Sequence, residues 1–174
     1  MALAVYDALI EAGRHHGLRH CGYHALNSLR IEKAYREWAH DMEPCDTLIE
    51  AGFGFTCAWD KPGGFVGREA LLPLREAGPP ERCLVQLLLT DAEPVLAHNE
   101  PILCDGVPVG YTTSSAYAHT LDACAAMGYV SARGGVSSQW LDAGAFSIEQ
   151  ANRRYTVLVS LKPMYDPTGL RMRR

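Results

Sequence analysis

His20 and His24 stand four residues apart, a spacing that lets two imidazoles on one helix face hold a metal ion, and His15 and His16 crowd the same segment. Gly22 interrupts them and no H-E-x-x-H frame follows, so these side chains read as histidines at the end of a helix, where a cation is electrostatically favoured. Six cysteines, at 21, 45, 57, 83, 104 and 124, include no C-x-x-C pair. That spacing suits neither a zinc ribbon nor a redox dithiol, and free thiols in a reducing, cytoplasmic compartment are expected. Thr112, Thr113, Ser114 and Ser115 set four hydroxyls in a row, which in a strand leaving a hairpin are expected to satisfy backbone and cross-strand bonds. Gly52-Phe-Gly54 opens like a phosphate-cradling turn, but Thr56-Cys57 follows where a dinucleotide fold needs its third glycine. No flavin site is therefore encoded here. Arg30 and Glu32, two apart, cannot share a helix face, and each is expected to find its own structural partner, as is Lys33.

The elements that must position such residues follow from composition and pattern. At 174 residues and 48% hydrophobic, the chain can bury a core as one domain or two small ones. Twenty acidic against sixteen basic side chains leave a net charge of −4, which repels phosphate backbones and argues against a nucleic-acid partner. No apolar run approaches the roughly 20 residues of a membrane-spanning helix, and the first residues lack the basic start of a signal peptide. Val5, Leu9 and Ala12 recur at helical period, predicting an amphipathic helix that Gly13 ends. A second helix is predicted over 23–33, its core-packing side formed by Leu26, Leu29 and the stem of Lys33. Residues 52–59 alternate as a strand, 60–64 carry turn chemistry, and 67–72 predict a short helix that Pro73 should end or kink. Ala77-Gly-Pro-Pro80 is a linker, at which the chain divides into residues 1–78 and 79–174. Beyond it, strands are predicted over 83–90, 101–104, 107–113, 127–131, 145–149 and 155–161, at the spacing of a barrel or sandwich. Asp105-Gly106 is a two-residue hairpin signal, and Pro108 marks an edge position.

Several longer stretches carry a resemblance. They are Ala25-Leu-Asn-Ser-Leu-Arg-Ile-Glu-Lys-Ala-Tyr-Arg-Glu-Trp38, Thr47-Leu-Ile-Glu-Ala-Gly-Phe-Gly-Phe55, Asp60-Lys-Pro-Gly-Gly-Phe-Val-Gly-Arg-Glu-Ala-Leu71, Gly110-Tyr-Thr-Thr-Ser-Ser-Ala-Tyr-Ala-His-Thr-Leu121, Met127-Gly-Tyr-Val130 and Lys162-Pro-Met-Tyr-Asp-Pro167. Together they resemble the C-terminal region of the aminomethyltransferase (glycine cleavage T-protein) superfamily, most of all its dimethylglycine and sarcosine dehydrogenase branch. The resemblance implies an α+β chain: a partial folate-binding α/β domain followed by a C-terminal antiparallel β-barrel. It further implies a piece of an enzyme in which FAD, in a domain outside this chain, oxidises a small N-methyl amine, while tetrahydrofolate takes up the one-carbon unit. The family's assisting aspartate and pterin-binding Gly-Glu-x-Gly-x-Glu segment lie upstream of the opening helix, so no catalytic residue is expected here and the chain alone should be inactive. Tyr35 falls where the family sets a tyrosine against the folate, and Trp38 at the next aromatic position. Such a pair three residues apart offers planar area for stacking on a flat ring. Arg133 falls near the position that holds the folate's glutamate tail. Leu26 replaces an arginine that contacts the ligand in the transferases, and this, with the Thr112–Ser115 run, disfavours the glycine-cleavage enzyme proper. The rival expectation is a stand-alone, non-catalytic folate- or partner-binding module. If part of a composite domain is missing, the first helix and the Tyr35–Trp38 surface should be left uncovered and self-associate.

Overall fold

The computed structural model describes residues 1–91 and 94–173. Its centre is a closed antiparallel barrel of six strands: β1 (Arg82–Leu89), β2 (Pro101–Cys104), β3 (Val107–Ala118), β4 (Ala123–Ser131), β5 (Phe146–Gln150) and β6 (Arg153–Ser160), hydrogen-bonded in the order β1-β4-β3-β2-β5-β6. Side chains alternate across a strand, so every second residue faces the lumen. Val85, Leu87 and Leu89 of β1 meet Cys124, Ala126 and Val130 of β4 in the barrel core. Their neighbours Leu84, Ala125, Met127 and Tyr129 form a second cluster that Ile31 and Ala34 cover from outside. Both faces of β4 are thus occupied, which explains its unbroken burial from Ala123 to Val130.

Closure corrects one sequence expectation and refines another. Pro108 is not on an edge, since β3 lies between β2 and β4; it pairs with Leu103 at a bulge where the register steps past Val109. A bulge leaves a ladder position without a donor, which suits a residue with no N–H. Asp105 and Gly106, at φ 51° and 81°, make the expected tight turn. A second bulge falls at Thr113, between the pairs Thr112–Gly128 and Ser114–Met127.

The helices are α1 (Ala2–Gly13), α2 (Tyr23–Glu32), α3 (Arg68–Glu76) and α4 (Ser138–Ala143). Helix α2 buries the side opposite to the one expected. Leu26 and Leu29 are more than half exposed, whereas Ser28, Ile31 and Glu32 are buried. The reason lies in β3. Strand β2 pairs only with its first half, so the β3 edge beyond residue 111 needs other partners. Asn27 donates to Ser115 O (3.2 Å), Ser28 to Tyr117 O (2.6 Å), and Glu32 accepts the Thr120 N–H (2.6 Å). Polar side chains on the inner face replace the missing strand, as buried backbone groups require.

One further expectation fails, and the helix end expected at Pro73 lies further along. Residues 52–59 form turns around a short 3₁₀ segment, Gly54–Thr56, rather than a strand. The aromatic groups that mimicked alternation are used separately: Arg36 lies over the Phe53 ring, while Trp59 packs edge-on to Phe65 and donates to Gly54 O (2.9 Å). Helix α3 runs past Pro73 to Glu76, because the proline carbonyl still accepts from Ala77 and only one helical donor is lost.

Candidate functional site

The turn that leaves α2 builds the site. Ala34 adopts a left-handed conformation (φ 51°) and Tyr35 N–H reaches back to Arg30 O (2.8 Å), closing the helix and sending the chain outward. Ala34 itself stays buried in the cluster beneath. Tyr35 and Trp38 emerge 48% and 61% exposed, and with Tyr23, Leu26, Asn27 and Glu37 they line a cleft of about 360 Å³. Glu37 accepts from the Tyr23 hydroxyl (2.8 Å) and pairs with Arg30 (3.0 Å). The bond to Glu37 and its negative charge raise the Tyr23 pKa, so the phenol stays a donor. Arg30 and Arg36 complete the lining, so the cleft presents three aromatic side chains, one carboxylate and two guanidinium groups.

What holds this wall in place is Asp41, which pattern reading did not single out. Its carboxylate is 1% exposed yet fully partnered. Oδ2 accepts from Arg30 Nη1 (2.7 Å) and the Glu37 N–H (2.9 Å); Oδ1 accepts from Thr113 (2.5 Å) and Ser114 (2.6 Å). Adjacent residues on a regular strand point to opposite faces, so Thr113 and Ser114 can share one oxygen only because of the bulge between them. The hydroxyl run thus serves buried carboxylates as well as the expected backbone bonds: Thr112 likewise donates to Glu100 (2.6 Å), itself buried, while Thr113 also donates to Met127 O (3.2 Å) and Ser115 to Leu96 O (2.7 Å). Four hydroxyls in an otherwise apolar strand were the signal that an acid had to lie opposite. Arg30 Nε is buried with no partner among the described residues.

Beyond Asp41 the same segment lines a polar cavity of about 430 Å³ with Asp46, Arg82, His98 and Tyr129. Arg82 lies over the Tyr129 ring at 3.6 Å and binds Asp46 at 2.6 Å. Burial works to raise Asp46, but the Arg82 bond, the Glu43 N–H and the Arg82 charge outweigh it and hold the carboxyl below its usual value. Burial, with Asp46 nearby, pushes the Tyr129 phenol up, and its hydroxyl donates to Asp41 O (3.1 Å).

The structure brings Tyr35 and Trp38 together and leaves Arg133 apart. Arg133 stands exposed in the turn after β4, where the neighbouring Gly134 and Gly135 line a different cleft with Leu74 and Pro79. The expected partners of the α2 end are present: Glu32 on Thr120, and Lys33 on Asp166 at 3.2 Å. His20 stacks on Tyr6. Among the described residues no group of three or more histidines, cysteines or acids is placed to hold a metal, and no helix is long and apolar enough to cross a membrane. All six cysteines are free thiols.

Comparison with known proteins gives this geometry a family. Residues 1–61 match the GCVT N-terminal domain and residues 82–166 the glycine cleavage T-protein C-terminal barrel domain. The chain is 43% identical over 173 residues to 4-methylaminobutanoate oxidase (formaldehyde-forming) of Paenarthrobacter nicotinovorans, covering 99% of this chain and 20% of that protein. It is 37% identical over 171 residues to human mitochondrial sarcosine dehydrogenase, covering 97% of this chain and 18% of that protein. The chain thus spans about a fifth of the length of these relatives. The crystal structure of the glycine cleavage system aminomethyltransferase T from Bartonella henselae superposes with a TM-score of 0.75 at 23% identity, over 95% of this chain and 44% of that one, a likeness of fold. With a T-protein N-terminal segment, a T-protein barrel and that fold in one chain, the protein belongs to the aminomethyltransferase (glycine cleavage T-protein) superfamily.

Proposed function

We propose that this chain forms one wall of a tetrahydrofolate site, in an enzyme of the sarcosine and dimethylglycine dehydrogenase type that removes a methyl group from a small N-methyl amine. The observation that carries this reading is the exposed aromatic cleft at the end of α2, where Tyr35 and Trp38 stand beside Tyr23 with a carboxylate and a guanidinium at hand. The residues present suit such a ligand: planar side chains offer area and stacking to a pterin or p-aminobenzoyl ring, and Glu37 can accept from ring N–H groups. Bound tetrahydrofolate would supply the acceptor for the one-carbon unit. This chain's own part is to present that surface and keep Arg30 and Glu37 oriented through Asp41. Arg133, outside the cleft, is one of two proposed contacts for the ligand's far end; the alternative is argued below.

Among the described residues the six strands are antiparallel neighbours in one barrel, and the sequence carries no G-x-G-x-x-G turn between a strand and a helix. We therefore assign amine oxidation to residues outside these 174, in keeping with relatives about five times as long. The relatives named for N-methylated amino acids support the amine class. We also propose that the uncovered faces of α1 and α2 associate with a second protein surface, in the isolated chain that of another copy.

Tyr35 tests the site. In the enzyme that carries this chain, Tyr35→Ala should weaken tetrahydrofolate binding by about 1–3 kcal/mol while amine-dependent flavin reduction continues. Tyr35→Phe keeps the ring and should keep most of the affinity. Unchanged folate affinity in the alanine variant removes Tyr35 from the site; equal damage to both half-reactions marks it as structural.

A further inference from the structure

The run Lys162-Pro-Met-Tyr-Asp-Pro167 is mostly used to fasten the chain back onto α2. Met164 N–H donates to Gln86 Oε1 (2.6 Å), and the Gln86 amide donates to Ile31 O (2.6 Å) and Glu32 O (3.2 Å), closing the helix C-terminus. Lys33 Nζ donates to Asp166 O (2.6 Å) and pairs with its carboxylate. This leaves Lys162, exposed, with its N–H on Ser160 Oγ and its ammonium without an acid or acceptor among the described residues.

Lys162 faces a cleft of about 550 Å³ that it shares with Lys33, Tyr35, Arg36, Phe53 and Phe55 and whose lining contains no acid. Arg36 is fixed there. Nε donates to Ala51 O (3.0 Å), Nη1 to Ala34 O (2.8 Å), and the guanidinium lies 4.9 Å over the Phe53 ring. Nη2 lies against Gly52, where a Cβ would approach to 2.6 Å. Nη2 has no acceptor, and the side chain no carboxylate partner, among the described residues. A partly desolvated guanidinium held by neutral carbonyls is a charge arranged for an anion to complete. In a chain of net charge −4, Arg36 over the Phe53 ring with Lys162 on the same acid-free cleft is a local exception.

Tyr35 and Arg36 line both this cleft and the aromatic one beside Trp38. The geometry points to Arg36 and Lys162 as the receptor for the carboxylates of a ligand whose ring lies against Tyr35, that is, for the glutamyl end of a folate. This rests on the folate reading above and specifies where its anionic end goes.

The test compares folate with pteroate, which has the same ring system without the glutamyl group, titrated into the enzyme that carries this chain. Folate should bind about tenfold tighter, as one charge-assisted contact supplies, and added salt should narrow the gap. Lys162→Glu, at an exposed position, should abolish the advantage and leave pteroate affinity unchanged. Arg36→Met should do the same, with circular dichroism to confirm that the fold survives. A Lys162→Glu chain that keeps the advantage overturns the assignment, as does an advantage lost on Arg133→Ala instead. If pteroate and folate bind equally, the folate reading stands and this subsite falls; if neither binds, both fall.

Discussion

Asp41 joins the cleft to the barrel, and its energetics are those of a buried charge. One carboxylate accepts four donors, from α2, from its own loop and from the β3 bulge. Removing one side of such an arrangement leaves the Arg30 guanidinium buried and unpaired, so Asp41→Ala should cost about 3–5 kcal/mol of stability, read by urea unfolding. Thr113→Val should cost about 1–3 kcal/mol alone and much less in the Asp41→Ala background, because the two lose the same bond. Equal costs in both backgrounds would contradict the network. At this scale the sequence was half legible. Tyr35 and Trp38 could be named because aromatic side chains keep their chemistry wherever they lie, whereas Asp41 is one loop acid among twenty acidic residues and becomes special only when a bulge brings two hydroxyls to it.

Among the elements, β3 decides most. It is long enough to outrun β2, and that surplus is what recruits Asn27 and Ser28 from α2 and turns the leucine face of the helix outward. Periodicity located α1, α2 and most strands, since spacing alone sets them. It could not choose which face of α2 is buried, because that depends on unpaired carbonyls in another element. Nor could it tell an alternating strand from the turns at 52–59, where glycine and phenylalanine take turns for local reasons. Where β3 crosses β4, the backbones meet so closely that a Cβ on Gly110 would lie 1.8 Å from Tyr129 O. The obstacle is backbone in a paired strand and cannot swing aside. Gly110→Ala should therefore cost more than the about 1–3 kcal/mol usual for overpacking and abolish cooperative thermal unfolding with its near-ultraviolet dichroism. Retention of a sharp transition near that of the parent chain would mean that the strands cross less tightly.

For the molecule as a whole, the contrast is between a barrel with a filled lumen and an α1 with no buried residue. Leu3, Val5 and Leu9 are 72%, 57% and 60% exposed, and Leu26 and Leu29 of α2 add to the uncovered apolar surface. Apolar surface on this scale usually finds a partner. Light scattering should show the isolated chain associating as its concentration rises, and Val5→Asp with Leu9→Glu should return it to a monomer without lowering the barrel's unfolding temperature. A parent chain that stays monomeric at high concentration contradicts the proposal that these faces seek a surface.

The central claim, that the face at the end of α2 receives a folate, is tested most directly by titrating tetrahydrofolate into the isotope-labelled chain and following backbone amide resonances. Shifts should concentrate at residues 23–38 and in the Gly52–Phe55 turn, saturate together, and leave strands β5 and β6 unmoved. No shift at those positions at millimolar ligand, or saturable shifts confined to another surface, would contradict it.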